Sequence, residues 1–242
     1  DTAALAAAVT GHPLGDDAAA LLQATTGGFP LHVVEAVRCG DLDPGDLGSV
    51  LRHRIDGVSA PARTVAGLAA AVGRDFTLDL LSEASDLPAD AVVAAVDELW
   101  RQRILRETWD GYDFAHDLLR ACAYEQVSPP TRWLLHRRLA QGLELLHAAD
   151  LDAVSAQLAE QYARGGRGDR AVGYYRRAAA VASGRFAHAE AVRLHAEALA
   201  ILATGPASRA RDAAELAVLE ATAAPLNALH GYSSPQLRDT LE

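Results

Sequence analysis

The sequence contains no lysine, so all 22 of its basic residues are arginines. The missing lysine has a chemical consequence, because a P-loop uses a lysine to reach the β- and γ-phosphates of a bound nucleotide. This chain by itself is therefore not expected to form a P-loop. Methionine is also absent, even at the first position, and we expect the chain to be a portion of a longer protein.

Long apolar runs and cysteines are the next absences. No run approaches the roughly 18 residues needed to cross a bilayer, and no signal-peptide pattern opens the chain. We therefore expect a cytoplasmic protein without membrane contact. The two cysteines, Cys39 and Cys122, share no short motif. Because a disulfide framework needs more cysteines in a smaller chain, we expect both to be reduced, buried thiols.

The charge balance is acidic, with a formal net charge of −10. The arginines are scattered, and their small clusters at 101–106 and 132–138 are typical of solvated helix faces. DNA binding draws much of its affinity from phosphate neutralisation by basic patches. We therefore expect no direct nucleic acid contact.

Periodic apolar residues predict helices along almost the whole chain. In the first part they lie at 2–9, 16–26, 46–57 and 61–72, with a further helix that starts at Pro30 and ends at Gly40. Proline suits a first helical turn, since its missing N–H has no partner there, and glycine suits a helix end.

The middle of the chain predicts a winged helix. A short helix in DFTLDLLSEAS is followed by a second helix with Pro88 in its first turn and with Val92, Val96, Leu99 and Arg103 on one face. In ILRETWDGYDF, two short extended runs flank an Asp-Gly pair, which favours a hairpin. This hairpin is the only β structure that the sequence predicts.

From residue 129 onward the pattern predicts helical hairpins that resemble tetratricopeptide repeats. Residues 171–183 align with 191–203 at a spacing of 20, and 157–171 has the order of a first repeat helix and its turn. Ala171 and Ala178 let paired helices approach closely, with Tyr162 and Tyr175 filling the gaps. The predicted fold class is mainly α, with a winged helix and then repeats.

No arrangement of residues predicts a catalytic or metal site. The sequence shows no Gly-x-Ser-x-Gly or Cys/His nucleophile pattern. His188 and His195, seven residues apart, share a helix face, but no further metal ligands can be placed. The segment GGRGD (165–169) lacks the lysine and the strand of a phosphate loop, so we interpret it as a repeat turn.

Two segments carry a family resemblance. TTGGFPLHVVEAV (25–37) resembles the Gly-Gly-Asn-Pro-Leu segment of STAND-type signalling ATPases, with Phe29 in the place of the asparagine. DGYDFAHDLLRACAYEQVSPPTRWLLHRRLA (110–140) is similar to the stretch that closes their winged-helix domain. With the repeats, this is the order found in large bacterial transcriptional regulators of the LuxR and SARP types.

The resemblance implies three parts and two cofactor-binding residues. The parts are a helical lid at 1–57 without its nucleotide-binding core, a winged helix at 58–128 and truncated repeats at 129–242. In that family a lid proline packs near the adenine of ADP, and a histidine, often followed by aspartate, contacts the β-phosphate. Pro30 matches the first role and His116 the second. Each also has a structural explanation, Pro30 as a helix starter and His116 as a capping or packing residue.

The resemblance implies a regulatory function. The chain would not be an enzyme or hold a cofactor by itself, whereas the complete protein would bind ATP or ADP. Its partners would be an upstream nucleotide-binding domain in the same chain and a protein or small-molecule signal on the repeats. Two alternatives stay open: the same sensor fused to a nucleotide cyclase or kinase, and a scaffold whose repeats bind a partner protein.

Overall fold

The structure is a computed structural model that describes residues 2–26 and 47–232, with Pro30, Val33, Val34 and Val37 between them. Within the two continuous ranges the chain forms twelve helices of 7 to 22 residues and one two-stranded antiparallel sheet. The predicted class, mainly α with a small β-hairpin, is confirmed. The chain divides into two compact units, Asp1–Ser128 and Pro129–Glu242. The three-part division at residues 57 and 128 stays a prediction.

The first unit contains seven of these helices and both strands. Its helices are α1 (Thr2–Thr10), α2 (Asp16–Thr26), α3 (Leu47–Asp56), α4 (Ala60–Val72), α5 (Leu78–Ala84), α6 (Ala89–Arg101) and α7 (Asp117–Glu125), and its strands are β1 (Leu105–Glu107) and β2 (Tyr112–Phe114). Most of the helix predicted from Pro30 to Gly40, with Cys39, lies outside the described residues. The four described positions in it are helical.

A third β position completes the wing. β1 pairs with β2 so that Leu105 faces Phe114, and Phe76 forms a separate antiparallel bridge to Tyr112. The Phe76 N–H donates to the Tyr112 carbonyl at 2.9 Å, and the Tyr112 N–H donates back at 2.8 Å. The order α4, bridge, α5, α6, hairpin is that of a winged helix. The sequence pattern did not predict the bridge at Phe76.

Capping side chains set where the helices of the winged helix begin. The Ser59 hydroxyl accepts the Ala62 N–H at 3.3 Å at the start of α4, and it donates to Glu98 of α6 at 2.6 Å. These bonds tie the first helix to the third, and the hydrogen bonds from Ser59 lower the pKa of Glu98. At the start of α5, Thr77 accepts the Leu80 N–H at 3.2 Å.

The bounds of α6 correct two details of the sequence prediction. Pro88 is the N-cap residue just before the helix and not part of its first turn. The helix ends at Arg101, and Arg103 has a left-handed backbone with φ of 54°. Arg103 therefore does not share the apolar face, whereas Val92, Val96 and Leu99 are buried as predicted. The face ends here because the chain must turn into β1.

The second unit is a series of antiparallel helices. They are α8 (Pro129–Leu146), α9 (Ser155–Arg164), α10 (Gly168–Gly184), α11 (His188–Thr204) and α12 (Arg209–His230). Each helix packs against the next along the chain. Two of the alanine pairs that align in α10 and α11 are buried, and so are both predicted tyrosines: Ala171, Ala178, Ala191, Ala198, Tyr162 and Tyr175. The third aligned pair, Ala180 and Ala200, is exposed.

The glycine-rich segment at 165–169 contains a packed turn between α9 and α10, as predicted. Gly166 has a φ of 68°, and a Cβ added there would overlap the Trp133 indole. The Arg137 side chain lies 3.5 Å above the Trp133 ring and donates to the Gly165 carbonyl at 2.7 Å. Gly166 is needed because the Trp133 indole occupies the space beside it, whereas a Cβ on Gly165 would meet the Arg137 side chain.

We predict that Gly111→Ala weakens the winged helix. A Cβ at Gly111 would overlap the Phe76 carbonyl oxygen, which accepts one of the two bridge hydrogen bonds. Relieving such overpacking costs about 1–3 kcal/mol of unfolding free energy, measurable by urea denaturation. The control is Gly184→Ala, because nothing lies within 4 Å of a Cβ at Gly184. Equal stability of Gly111→Ala and the wild type would contradict the prediction.

Candidate functional site

Pro30, the first predicted cofactor-binding residue, lies on a helical stretch and is exposed. Its chain neighbours Phe29 and Leu31 lie outside the described residues. Three residues further on, Val33 is fully buried against Ala6 and Leu22 of α1 and α2. An exposed helical proline is compatible with a helix start and with a surface that meets another domain. A contact between Pro30 and nucleotide stays a prediction.

His116, the second predicted cofactor-binding residue, is the N-cap of α7. It follows β2 with an extended backbone, and its Nδ1 accepts the Leu119 N–H at 3.3 Å. A ring nitrogen that accepts a hydrogen bond carries no proton, so in the neutral imidazole the proton lies on Nε2. The Nε2 atom is enclosed by protein atoms. The structure thus assigns His116 a capping role, one of the two roles considered for it.

Asp117 stands beside His116 as the first residue of α7 and forms two ion pairs. Its carboxylate lies 2.5 Å from Arg74 and 3.2 Å from Arg120. Desolvation works against ionisation, but the two guanidinium groups outweigh it and lower the pKa of Asp117. A negative charge in the first turn is favourable for the helix dipole. At the start of α7, His116 therefore caps a backbone N–H, and the Asp117 carboxylate interacts favourably with the helix dipole.

A second candidate site lies between α6 and the hairpin, and we call it the wing groove. It encloses about 500 Å³, and its lining residues are Leu78, Asp90, Val93, Ala94, Val96, Asp97, Trp100, Glu107 and Tyr112. Three of these residues are acidic and none is basic. The Val93 and Trp100 side chains are 51% and 49% exposed. The groove is thus both acidic and apolar.

A third candidate site lies in the second unit, in a cavity of about 600 Å³ between α10, α11 and α12 that we call the repeat groove. It brings together His188 and His195, which the sequence placed on one helix face. Among the described residues no group of three or more His, Cys, Asp or Glu side chains is arranged to hold a metal ion. The lining of the groove is instead basic, with Arg176 and Arg177 beside the two histidines.

Buried polar pairs join the repeat helices, and the sequence did not predict them. His136 of α8 lies 2.7 Å from the Gln161 amide oxygen, and His195 of α11 lies 3.0 Å from the Thr222 hydroxyl. Thr222 also lies within hydrogen-bond distance of the Val218 carbonyl, at 2.7 Å. An isolated histidine on an apolar helix face indicates a buried polar group. The sequence could not identify its partner, because that partner lies 25 or more residues away.

A polar network on an adjoining face of α10 is also structural. The Tyr174 hydroxyl donates to Glu144 at 2.6 Å, and Arg170 donates to the same carboxylate at 3.1 Å. The ring of Tyr174 stacks on that of Tyr162 with centroids 5.7 Å apart. Burial, followed by the bond to Glu144, raises the pKa of Tyr174 to about 12. These phenols are therefore fixed as hydrogen-bond donors that hold α8, α9 and α10 together.

Comparisons of the chain with protein-family models, curated proteins and solved structures gave no match. Among the described residues no helix is long and apolar enough to span a membrane. The family resemblance therefore rests on the residues and on the order of the parts.

We predict that the chain loses stability as the pH falls below about 6.5. Burial lowers the pKa of His136 and of His195 from the ordinary value of 6.5. Below that pH the unfolded chain binds more protons than the folded chain, so the unfolding free energy falls. Each histidine contributes a slope of up to about 1.4 kcal/mol per pH unit.

The double variant His136→Gln, His195→Gln removes both ionisable groups and keeps a side chain that can form hydrogen bonds. Urea unfolding between pH 7.5 and 5.5 should show a smaller loss of stability for it than for the wild type. His230→Gln, at an exposed position, serves as the control. An unchanged pH slope in the double variant would show that the buried histidines do not set it.

Proposed function

We propose that the chain is the regulatory portion of a STAND-type bacterial transcriptional regulator. In this proposal the repeats receive a signal, and the winged helix passes it to a nucleotide-binding domain in the same protein. The resemblance of segments 25–37 and 110–140 supports the family. The observation that carries the role of the winged helix is the chemistry of the wing groove.

The wing groove is unsuited to DNA. In helix-turn-helix proteins the second helix of the motif enters the major groove, and nearby basic residues contact the phosphates. Here that helix is α6, and its side facing the hairpin carries Asp90 and Asp97, with Glu107 on β1 opposite. Asp97 is paired with Arg101 at 2.8 Å, so this arginine is already engaged. A phosphate backbone would meet mainly negative charge.

The same groove is suited to protein. Exposed apolar side chains in a patch mark interaction sites, and tryptophan is the residue most enriched at their energetic centres. Val93 and Trp100, each about half exposed, lie among the three carboxylates. A complementary surface would present apolar side chains ringed by arginines. We assign this surface to the nucleotide-binding domain of the same protein.

His116 can serve both the helix cap and a nucleotide contact. Its Nδ1 accepts from the backbone of α7, so the Nε2–H of a neutral imidazole is the group that would donate to a phosphate oxygen. Since protein atoms enclose Nε2, the nucleotide domain would have to move a neighbouring group aside to reach it. The contact would thus form only in the closed, ADP-bound state of the complete protein.

We predict that Trp100→Ala loosens ADP in the complete protein by about tenfold, because losing one interface anchor typically costs 1–2 kcal/mol or more. Trp109→Ala is the matched control, since Trp109 at the hairpin tip is 98% exposed and lies outside the wing groove. Calorimetric titration with ADP measures both. A complete coding sequence without a P-loop would contradict the proposal, and so would a salt-sensitive shift of duplex DNA by this chain.

We predict that two substitutions at His116 separate its roles. His116→Ala removes the cap and should lower the unfolding free energy by about 0.5–2 kcal/mol. His116→Ser keeps a capping oxygen but has no Nε2–H, so it should keep nearly the wild-type stability. In the complete protein both variants should bind ADP about ten- to a hundredfold more weakly, because each loses one charge-assisted hydrogen bond to phosphate.

The measurements are urea unfolding of this chain and ADP titration of the complete protein. If His116→Ser restores stability and also binds ADP like the wild type, His116 is a cap and nothing more. If the complete protein carries a nucleotide cyclase or kinase domain, its output is that enzyme's activity and not transcription. The expected changes in ADP affinity are the same.

A further inference from the structure

The repeat groove differs from the rest of the molecule in its charge. The chain carries a net charge of −10, yet the groove is lined by Arg176, Arg177, His188 and His195 and by no acidic residue. Its volume of about 600 Å³ lies within the range of small-molecule sites, roughly 300–1,000 Å³. Two guanidinium groups at a cavity of this size, with no carboxylate in its lining, favour an anionic ligand.

Arg176 is the strongest single contributor to this charge. Its side chain is exposed and makes no ion pair with any carboxylate in the described part of the chain. Arg176 and His195 line the same groove, and burial first, then the charge of Arg176, lowers the pKa of His195. Arg177 is different, because its Nε lies 2.5 Å from Asp152, whose carboxylate offsets part of its charge. Arg176 is thus the arginine available to a ligand.

His188 supplies a polar atom that the described protein leaves unsatisfied. Its Nδ1 is enclosed and has no hydrogen-bond partner among the described residues. Phe186 packs edge-to-face on the imidazole, with ring centroids 6.2 Å apart, and helps to fix its orientation. A buried polar atom without a partner costs free energy, and a ligand that bonds to it would recover that cost.

Two helix features add to the polarity of the groove. His188 is the first residue of α11, whose N-cap Ala187 makes no side-chain capping bond, so the positive end of this 17-residue helix lies at the groove. Opposite it, Pro225 lies inside α12 and has no N–H, so the Ala221 carbonyl loses its usual helical donor. Both Ala221 and Pro225 line the groove. The site therefore offers cationic groups and one carbonyl acceptor.

We infer that the repeat groove binds a small organic anion, a phosphate- or carboxylate-bearing molecule that also carries a hydroxyl group. Arg176 and His188 bind the anionic group, and the Ala221 carbonyl accepts the hydroxyl. The role of this ligand as the signal rests on the proposed function, whereas its binding to the chain does not. The groove is lined by three helices, and its volume suits a small molecule.

The binding test uses this chain with pyrophosphate as the phosphate probe and citrate, a hydroxylated tricarboxylate, as the carboxylate probe. Calorimetry at constant ionic strength should show one site per chain for at least one of them. Arg176→Ala and His188→Ala should each weaken that binding about tenfold or more. Arg209→Ala is the matched control, since Arg209 is exposed on α12 and lies about 24 Å along the helix from Pro225.

The two probes distinguish a phosphate ligand from a carboxylate ligand, and binding of either supports the site. The inference is overturned if neither probe binds more tightly than about 1 mM. It is also overturned if Arg176→Ala binds like Arg209→Ala, or if only a polyglutamate peptide binds. Melting temperatures of all variants, measured without ligand, check that each is folded.

A separate measurement keeps the site and the proposed function distinguishable. In the complete protein, the bound anion should change the affinity for ADP, and Arg176→Ala should abolish that change. If the chain binds the anion but ADP affinity does not respond, the site stands and the proposed coupling is wrong. If the chain does not bind it, the inference fails while the effects expected of Trp100 and His116 remain testable.

Discussion

Close approach of helix backbones at small side chains is the constraint on which both units depend. In α4, five alanines and Gly67 are buried, and a Cβ on Gly67 would come within 2.6 Å of Val127. In the repeats, Ala171, Ala178 and their aligned partners in α11 are buried in the same way. A methyl group contributes little apolar area, so these helices gain dispersion energy by packing at short distance. Larger side chains then line the grooves and fill the gaps between the helices.

Local patterns were sufficient to predict most elements, because helices and tight turns are encoded within a few residues. The Asp-Gly pair predicted the hairpin, and apolar spacing predicted α4 to α12 with small errors at their ends. The failures share a cause. The bridge between Phe76 and Tyr112 joins positions 36 residues apart, and the left-handed backbone of Arg103 follows from the turn into β1. Neither feature has a signature in the neighbouring sequence.

The candidate sites show the same division between local and distant information. The sequence placed His116 at a helix start, but it could not show that Arg74, 43 residues before Asp117, would hold the adjoining charge. The wing groove combines α6 with β1, and the repeat groove takes residues from three helices, so neither forms a motif. The net charge of the whole chain does not show that the wing groove is lined by acidic residues and the repeat groove by basic ones. Such grooves become visible only when separate segments are brought together.

The alignment of α10 with α11 shows that His195, the partner of Thr222, lies at a repeated position. His195 occupies the position of Tyr175 in the preceding helix, and both side chains are buried. The two helices share buried alanines at 171/191 and 178/198, whereas the side chain at this buried position differs between them. A tyrosine there fills space, whereas a histidine brings a titratable ring to the edge of a cavity. A repeat array can in this way acquire new ligand preferences by single substitutions, without redesigning the packing that holds its helices together.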